Sequence, residues 1–311
     1  MTEPRKHHFV SQFYLAGFTT DESSDGTLYC FDVHTKKVWP TNTKEVAHKR
    51  DFNRVEASEL TPAFLETELS KFETEVSSVF RSLKTEKVIP SGDEYATLIN
   101  FIALLGVRNP DLRSNFDESK TQLFRKVMAL YLHDEQRWQT FRDKAIRDGV
   151  EALKGLSYSE ANKIFLESDW KITSHPNSFH PMEFGAIEKV VELLANRDWT
   201  LVLAPSEALF VTSDRPVALT WTIPDPTVPF GPGFGSLHSA VYFTLNRTMA
   251  LLGRFNDTAG VIQANAQLVG AFNSIISVHA TRFVYGSTNS FLMLDENERL
   301  ANSQSFLGIA I

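Results

Sequence analysis

The rhythm of apolar positions changes along the chain and divides it into three stretches. The first is short-period and mixed. Residues 8–15, closed by Gly17, read as a brief helix. Residues 28–33 then read as a strand, 34–37 as a turn and Val38-Trp39 as the return of a hairpin. Residues 44–54 are charged and carry no clear period. From Thr61 to about Asn196 the pattern is helical almost throughout. Phe64, Leu65, Leu69, Phe72, Val76, Val79, Phe80 and Leu83 recur at helical spacing behind Thr61-Pro62, where proline suits a first turn and Glu66 favours the N-terminal dipole. A second helix over 93–108 must stop before Asn109-Pro110, because the residue before proline disfavours helical backbone. Further helices are expected over 112–132, 135–153, 159–167 and 182–195.

After residue 196 the texture turns to strands, expected over 199–203, 209–212, 217–222, 241–245 and 249–255. A helix over about 260–278 and a strand over 282–285 follow. Residues 224–235 hold four prolines and three glycines, so they form a loop that could act as a lid. These elements predict an α+β fold in one domain over 1–311. Its mixed or antiparallel sheet is built from the N-terminal hairpin and the C-terminal strands, with a helical layer, about 60–196, packed on it. A division near residue 197 is the alternative.

Composition narrows this picture without redirecting it. The 311 residues are 42% hydrophobic and 22% charged, a globular balance, and 24 phenylalanines predict a core rich in ring contacts. A net charge of −7 argues against a surface that coats nucleic acid, though a local basic cleft is compatible with it. Cys30 stands alone and is expected to be a structural thiol in a reducing compartment. Met1 to Lys6 show no secretory pattern, and the apolar run 98–107 is too short for a membrane span, so a cytoplasmic location with no membrane partner is expected.

Lys6-His7-His8-Phe9-Val10-Ser11-Gln12-Phe13-Tyr14-Leu15-Ala16-Gly17-Phe18 resembles the opening signature, HHxVPQFYLRxF, of a bacterial family known as domain of unknown function 4238. Ser11 stands where the signature has proline, and Ala16 where it has arginine. The resemblance continues at Asp51-Phe52, Leu65-Glu66, residues 101–104, Arg108-Asn109-Pro110, Trp199, residues 212–217 and residues 242–245. It implies one unit running nearly end to end, and it implies no particular reaction or cofactor.

Five residues supply the candidate catalytic chemistry. His8 and Gln12 are four apart, so on a helix they share an edge; the imidazole is a candidate base and the amide a candidate donor to a phosphate or carbonyl oxygen. The plain alternative is that His7, His8 and Gln12 tether the first helix. Arg108 falls beside Phe101 and Leu105 on the edge of an apolar face, where a guanidinium that stays charged needs an acid or an anionic ligand. With His7 it forms the candidate anion-binding pair, and a buried salt bridge is the competing reading. Glu66 and Glu73 share one edge of the long helix's apolar stripe, and Glu68 and Glu75 the other. Helical glutamates are ordinarily solvated, which is the expectation for Glu73. Glu66 is open between solvent, a pairing with Arg108 and a metal. Asp214, after a strand, is either a ligand or a turn-maker.

Other signals are weaker. Gly231, Gly233 and Gly235 lack the strand and helix a phosphate-binding loop needs. Lys44, His48, Lys49, Arg50 and Arg54 could track a phosphate backbone or be a solvated face. His175 and His180 straddle a Pro-Asn loop expected at the surface, and no HExxH, Walker-type or GxSxG pattern occurs. Two functions follow as expectations. One is a nuclease-like hydrolase acting on phosphodiesters, with a nucleic acid or nucleotide as partner and Mg²⁺ or Mn²⁺ held by Glu66 and Asp214 as its possible cofactor. The other is a non-catalytic module binding a small anion, a nucleotide or a protein.

Overall fold

The computed structural model describes residues 5–56, 61–223 and 230–306. It divides the chain into two compact units: residues up to 109 together with those from 176 onward, and residues 110–175. The helical stretch read from the sequence as one layer is therefore shared between the units, each with its own apolar core.

In the first unit the N-terminal segment forms a strand, β1 (Lys6–His8), and then a five-residue helix, α1 (Gln12–Ala16). His8 thus lies on a strand, not on the helix expected for it. The hairpin forms as anticipated, from β2 (Leu28–Asp32) and β3 (Lys37–Thr41). The charged stretch after it holds β4 (His48–Arg50), antiparallel to β1, with His8 opposite His48. Three residues offer too little alternation to be read as a strand, and only pairing with β1 makes them one. The long helix α2 (Phe64–Glu86) buries Leu65, Val76, Val79 and Leu83 on one stripe. It ends at Lys87, whose left-handed backbone (φ 54°) lets its N–H return to the Leu83 carbonyl. Then α3 (Gly92–Val107) is buried chiefly over its second half, from Leu98 onward, and stops where proline was expected to stop it.

The second unit contains α4 (Pro110–Tyr131), α5 (Glu135–Arg147), a 3₁₀ turn (Glu151–Leu153) and α6 (Tyr158–Asn162), which continues as a π turn (Lys163–Glu167). Met128, Leu132, Trp138, Leu153 and Ala161 form its core. The single helix expected over 135–153 is broken because Gly149 adopts φ +97°, a conformation open to glycine and costly for other residues.

Back in the first unit, α7 (Pro176–Ala195) begins at Pro176 rather than Met182, since proline needs no hydrogen-bond partner in a first turn. Six strands follow: β5 (Asp198–Leu203), β6 (Thr212–Ser213), β7 (Val217–Trp221), β8 (Ser239–Asn246), β9 (Met249–Arg254) and β10 (Gly260–Gln263). The expected helix over 260–278 is two elements. Its first residues are β10, parallel to β5, and α8 (Ala266–His279) starts only where the Asn265 side chain accepts the N–H of Leu268. The chain continues through β11 (Phe283–Gly286), β12 (Leu292–Leu294), β13 (Leu300–Asn302) and α9 (Ser303–Phe306).

The architecture is α+β, with two larger sheets where one was expected. The hairpin and a C-terminal strand do share a sheet, ordered β3-β2-β11-β6; the other is ordered β10-β5-β9-β8-β7. In the second sheet Gly253 lies so close under the Trp199 ring that a Cβ there would clash with it. The segment 224–229, in the stretch read as a lid, lies outside the described residues.

A cluster of rings fixes the helices that carry the site. Tyr14 is fully buried, donates to the Thr244 carbonyl at 2.7 Å, lies 2.7 Å from the Thr212 hydroxyl and stacks on Phe243. Phe13, Phe80 and Phe101 pack around it, tying α1 to α2 and α3. A buried tyrosine with a satisfied hydroxyl gives both apolar area and a directional tether. It anchors the helix whose first residues face the cavity.

Candidate functional site

Two helices present the same geometry to one cavity. Glu66, Leu69, Ser70 and Glu73 on α2, and Phe101, Leu104, Leu105 and Arg108 on and just past α3, each repeat the i, i+3, i+4, i+7 spacing of one helical face. His8, Phe9, Ser11, Gln12 and Asn53 complete the lining of a space of about 190 Å³. Four of the five catalytic candidates, His8, Gln12, Glu66 and Arg108, therefore line one cavity. Glu68 and Glu75, on the other edge of α2, are exposed. Glu73, expected in solvent, lines the cavity as Glu66 does.

Arg108 is only 4% exposed and sits at the centre of a polar network. Its Nη2 donates to the Asn53 side-chain carbonyl, and the Asn53 amide donates to Glu66. Asn53 thus bridges the guanidinium to Glu66, for which a pairing with Arg108 was one of the open expectations. The ion-pair partner is Glu183 on α7, 3.7 Å from Nε and 3% exposed. The Phe52 ring lies beneath the guanidinium, with its carbon 5.6 Å from the ring centre. The Glu183 carboxylate, the Asn53 amide and the Phe52 ring face all help to stabilise a cation that cannot neutralise itself.

Burial moves two titrations in opposite directions. The Glu73 carboxyl rises from 4.5 to about 7, chiefly because burial disfavours its charge and secondarily because Glu66 repels it; Arg108 opposes the shift. His8 falls from 6.5 to about 4 through burial first, then the nearby His48 and Lys6 charges. Although His8 is on a strand, its Nδ1 still lies 3.4 Å from Gln12 Nε2, because the chain bends at Phe9 and Val10. The neutral imidazole is thereby an acceptor that orients the Gln12 amide. The group poised near neutrality is Glu73 rather than His8.

Asp214 is not part of this cavity. Its carboxylate accepts the main-chain N–H groups of Thr281, Arg282 and Phe283 at 2.8–2.9 Å, fastening β6 to the start of β11. Those donors lie 67–69 residues away, so Asp214 is a long-range tether between strands, neither the local turn nor the ligand expected for it, and it shares no cavity with Glu66. Among the described residues no group of three or more His, Cys, Asp or Glu side chains is arranged to hold a metal ion. His7 is buried, and its Nδ1 accepts the Asn53 N–H at 2.8 Å, so it positions the bridging asparagine and does not line the cavity. His180, expected at the surface, is buried within α7, its Nε2 3.1 Å from the Arg54 carbonyl and its Nδ1 3.8 Å from Glu183. The basic segment is largely paired off: Arg50 with Asp51, Arg54 with Glu56 and Lys44 with Asp25.

Sequence reasoning missed Asn53, Glu183 and Ser11. Asn53 directly follows the Asp51-Phe52 pair of the family resemblance, the one signal that could have flagged it. Glu183 carried none, because its helix seemed only to begin there.

Fold and site together define an α+β protein whose N-terminal strand and helix close an acid-containing cavity against two helices. A family model described as a protein of unknown function (DUF4238) matches residues 6–290, and the chain belongs to this family. Searches of curated proteins and of solved structures found no match. Among the described residues, no helix is long and apolar enough to cross a membrane.

Proposed function

We propose that this cavity hydrolyses phosphodiesters by general acid–base catalysis, with a nucleic acid or nucleotide as the source of the diester. The observation that supports it is a carboxyl group poised near neutrality, Glu73, in the same space as a fixed guanidinium, Arg108. Proton transfer is most effective when the donor's pKa lies near the working pH, and carboxyl groups reach that range by burial and by a neighbouring like charge. In this reading Arg108 and the Gln12 amide hold the phosphoryl oxygens, where positive charge and donors stabilise the transition state. Glu66, kept in place by Asn53, accepts a proton from the attacking water as its oxygen bonds to phosphorus. Glu73 gives its proton to the leaving oxygen as the old P–O bond breaks. His8 orients Gln12 and does not itself exchange protons. Charge favours a diester over a monoester: a monoanion faces one arginine and a protonated Glu73, whereas a dianion adds repulsion from Glu66.

Purified protein incubated with bis(p-nitrophenyl) phosphate, an RNA and a single-stranded DNA, in Mg²⁺, in Mn²⁺ or in chelator, provides the test. Turnover is expected, falling as pH rises through about 7 when Glu73 loses its proton. Glu73→Gln should lower kcat by about 100-fold or more while remaining folded. A folded wild type that turns over none of these substrates, or a fully active Glu73→Gln, overturns the hydrolase reading. Ligand-dependent thermal stabilisation without turnover would instead identify a non-catalytic anion-binding module.

A further inference from the structure

We infer that Ser11 binds the substrate directly, its hydroxyl donating to a non-bridging phosphoryl oxygen and setting how tightly this chain holds a diester. The inference rests on the phosphodiester reading for the identity of the ligand, but on separate observations for the residue.

Ser11 occupies the N-cap position of α1, where a serine ordinarily turns its oxygen back to accept an N–H from the first turn. No such bond forms. The side chain is 5% exposed, its Oγ has no hydrogen-bond partner among the described residues, and it lines the cavity beside Gln12. Buried hydroxyls are nearly always satisfied, so one that forgoes its local cap in a residue lining a polar cavity is available to turn toward a partner that arrives with the ligand. The neighbouring groups select that partner. Glu66 takes the accepting role in the cavity, while Arg108, Gln12 and the protonated Glu73 present donors. A hydroxyl on the Gln12 side extends the donor set that a phosphoryl group needs.

The backbone makes the role separable from folding. Ser11 has φ −65° and ψ 145°, values that proline adopts without strain, and the family signature carries proline at this place. No main-chain hydrogen bond from its N–H forms among the described residues. Ser11→Pro and Ser11→Ala therefore remove the hydroxyl and leave the chain path intact. The hydroxyl belongs to this chain's version of the cavity and not to the signature.

The experiment measures binding of dimethyl phosphate, a diester too inert to turn over, by calorimetry, alongside KM and kcat for bis(p-nitrophenyl) phosphate and the melting temperature without ligand. Both variants are expected to weaken dimethyl phosphate binding and raise KM by about 10- to 100-fold, the loss of one hydrogen bond to a charged group. Their melting temperatures should equal or exceed that of the wild type, since an unsatisfied buried hydroxyl has gone. A lower melting temperature with unchanged binding would make Ser11 a structural cap and overturn the inference. Wild-type hydrolysis with unaltered KM in both variants would overturn it too, leaving the hydrolase reading standing. Diester binding that weakens in both variants, with turnover absent even in the wild type, would uphold Ser11 and sink the hydrolase reading. If dimethyl phosphate fails to bind the wild type and bis(p-nitrophenyl) phosphate is not turned over, both are wrong.

Discussion

Arg108→Ala is expected to destabilise the protein by about 3–5 kcal/mol, the usual result of removing one partner from a buried ion pair. In a unit of this size that corresponds to a fall of about 10 °C in melting temperature. The loss comes from what stays behind. Glu183 is 3% exposed and lies 3.7 Å from the guanidinium, so truncation deprives a buried carboxylate of its cation. Asn53 loses the donor to its carbonyl, and Phe52 loses the cation over its face. Chemical denaturation of Arg108→Ala, Glu183→Gln and the double variant separates these contributions. Because Glu183→Gln removes the charge that needs balancing, the double variant should be more stable than Arg108→Ala alone, with a coupling of at least about 1 kcal/mol. An Arg108→Ala that melts like the wild type would show that the guanidinium is not a tie of the fold. Its only duty would then be toward a ligand.

The same arginine shows where sequence reasoning reaches and where it stops. A permanent cation at the edge of an apolar helical face demands a partner, and this holds whatever the rest of the chain does; the network around Arg108 is that partner. Helical phase also placed Glu66 and Glu73 on one edge and Glu68 and Glu75 on the other, as the structure does. Phase cannot say what covers an edge. Glu73 reads as a surface residue because the elements that bury it, the N-terminal segment and α3, are distant in sequence. Asn53 is invisible for a similar reason, since an asparagine in an irregular stretch gains meaning only from Arg108 on one side and Glu66 on the other. The strands β4 and β10 were missed because three or four residues have too little period to read, and pairing alone defines them. Asp214 was ambiguous between turn and ligand, and the three N–H groups of residues 281–283 make it instead a tether from β6 to β11, a long-range role that the local sequence does not show.

The pH dependence of stability should expose Glu73 and His8 as opposing contributions over nearly the same range. Glu73 has a folded pKa of about 7 against 4.5 for the ordinary group, so the folded state binds its proton more tightly. Its contribution is fully present below about 4.5 and is lost as pH rises to about 7, a change of about 3 kcal/mol. His8 runs the other way. Lowered from 6.5 to about 4, it is protonated more readily in the unfolded chain, so its contribution is present above 6.5 and is lost as pH falls toward 4. In the wild type the two slopes nearly cancel between about 4.5 and 6.5. Glu73→Gln removes one of them. Relative to the wild type it should gain about 2–3 kcal/mol at pH 8, where the native carboxylate would be charged, and little at pH 4.5, where that carboxyl is already neutral. His8→Asn should do the reverse, removing the loss of stability at acid pH and leaving a protein that weakens steadily from pH 4.5 to 7. Denaturation midpoints for the three proteins across pH 4 to 8.5 measure both slopes. If Glu73→Gln tracks the wild type at every pH, Glu73 is an ordinary solvated carboxylate and cannot serve as a proton donor at neutral pH. The stability curve thus checks the chemistry proposed for the cavity without requiring a substrate.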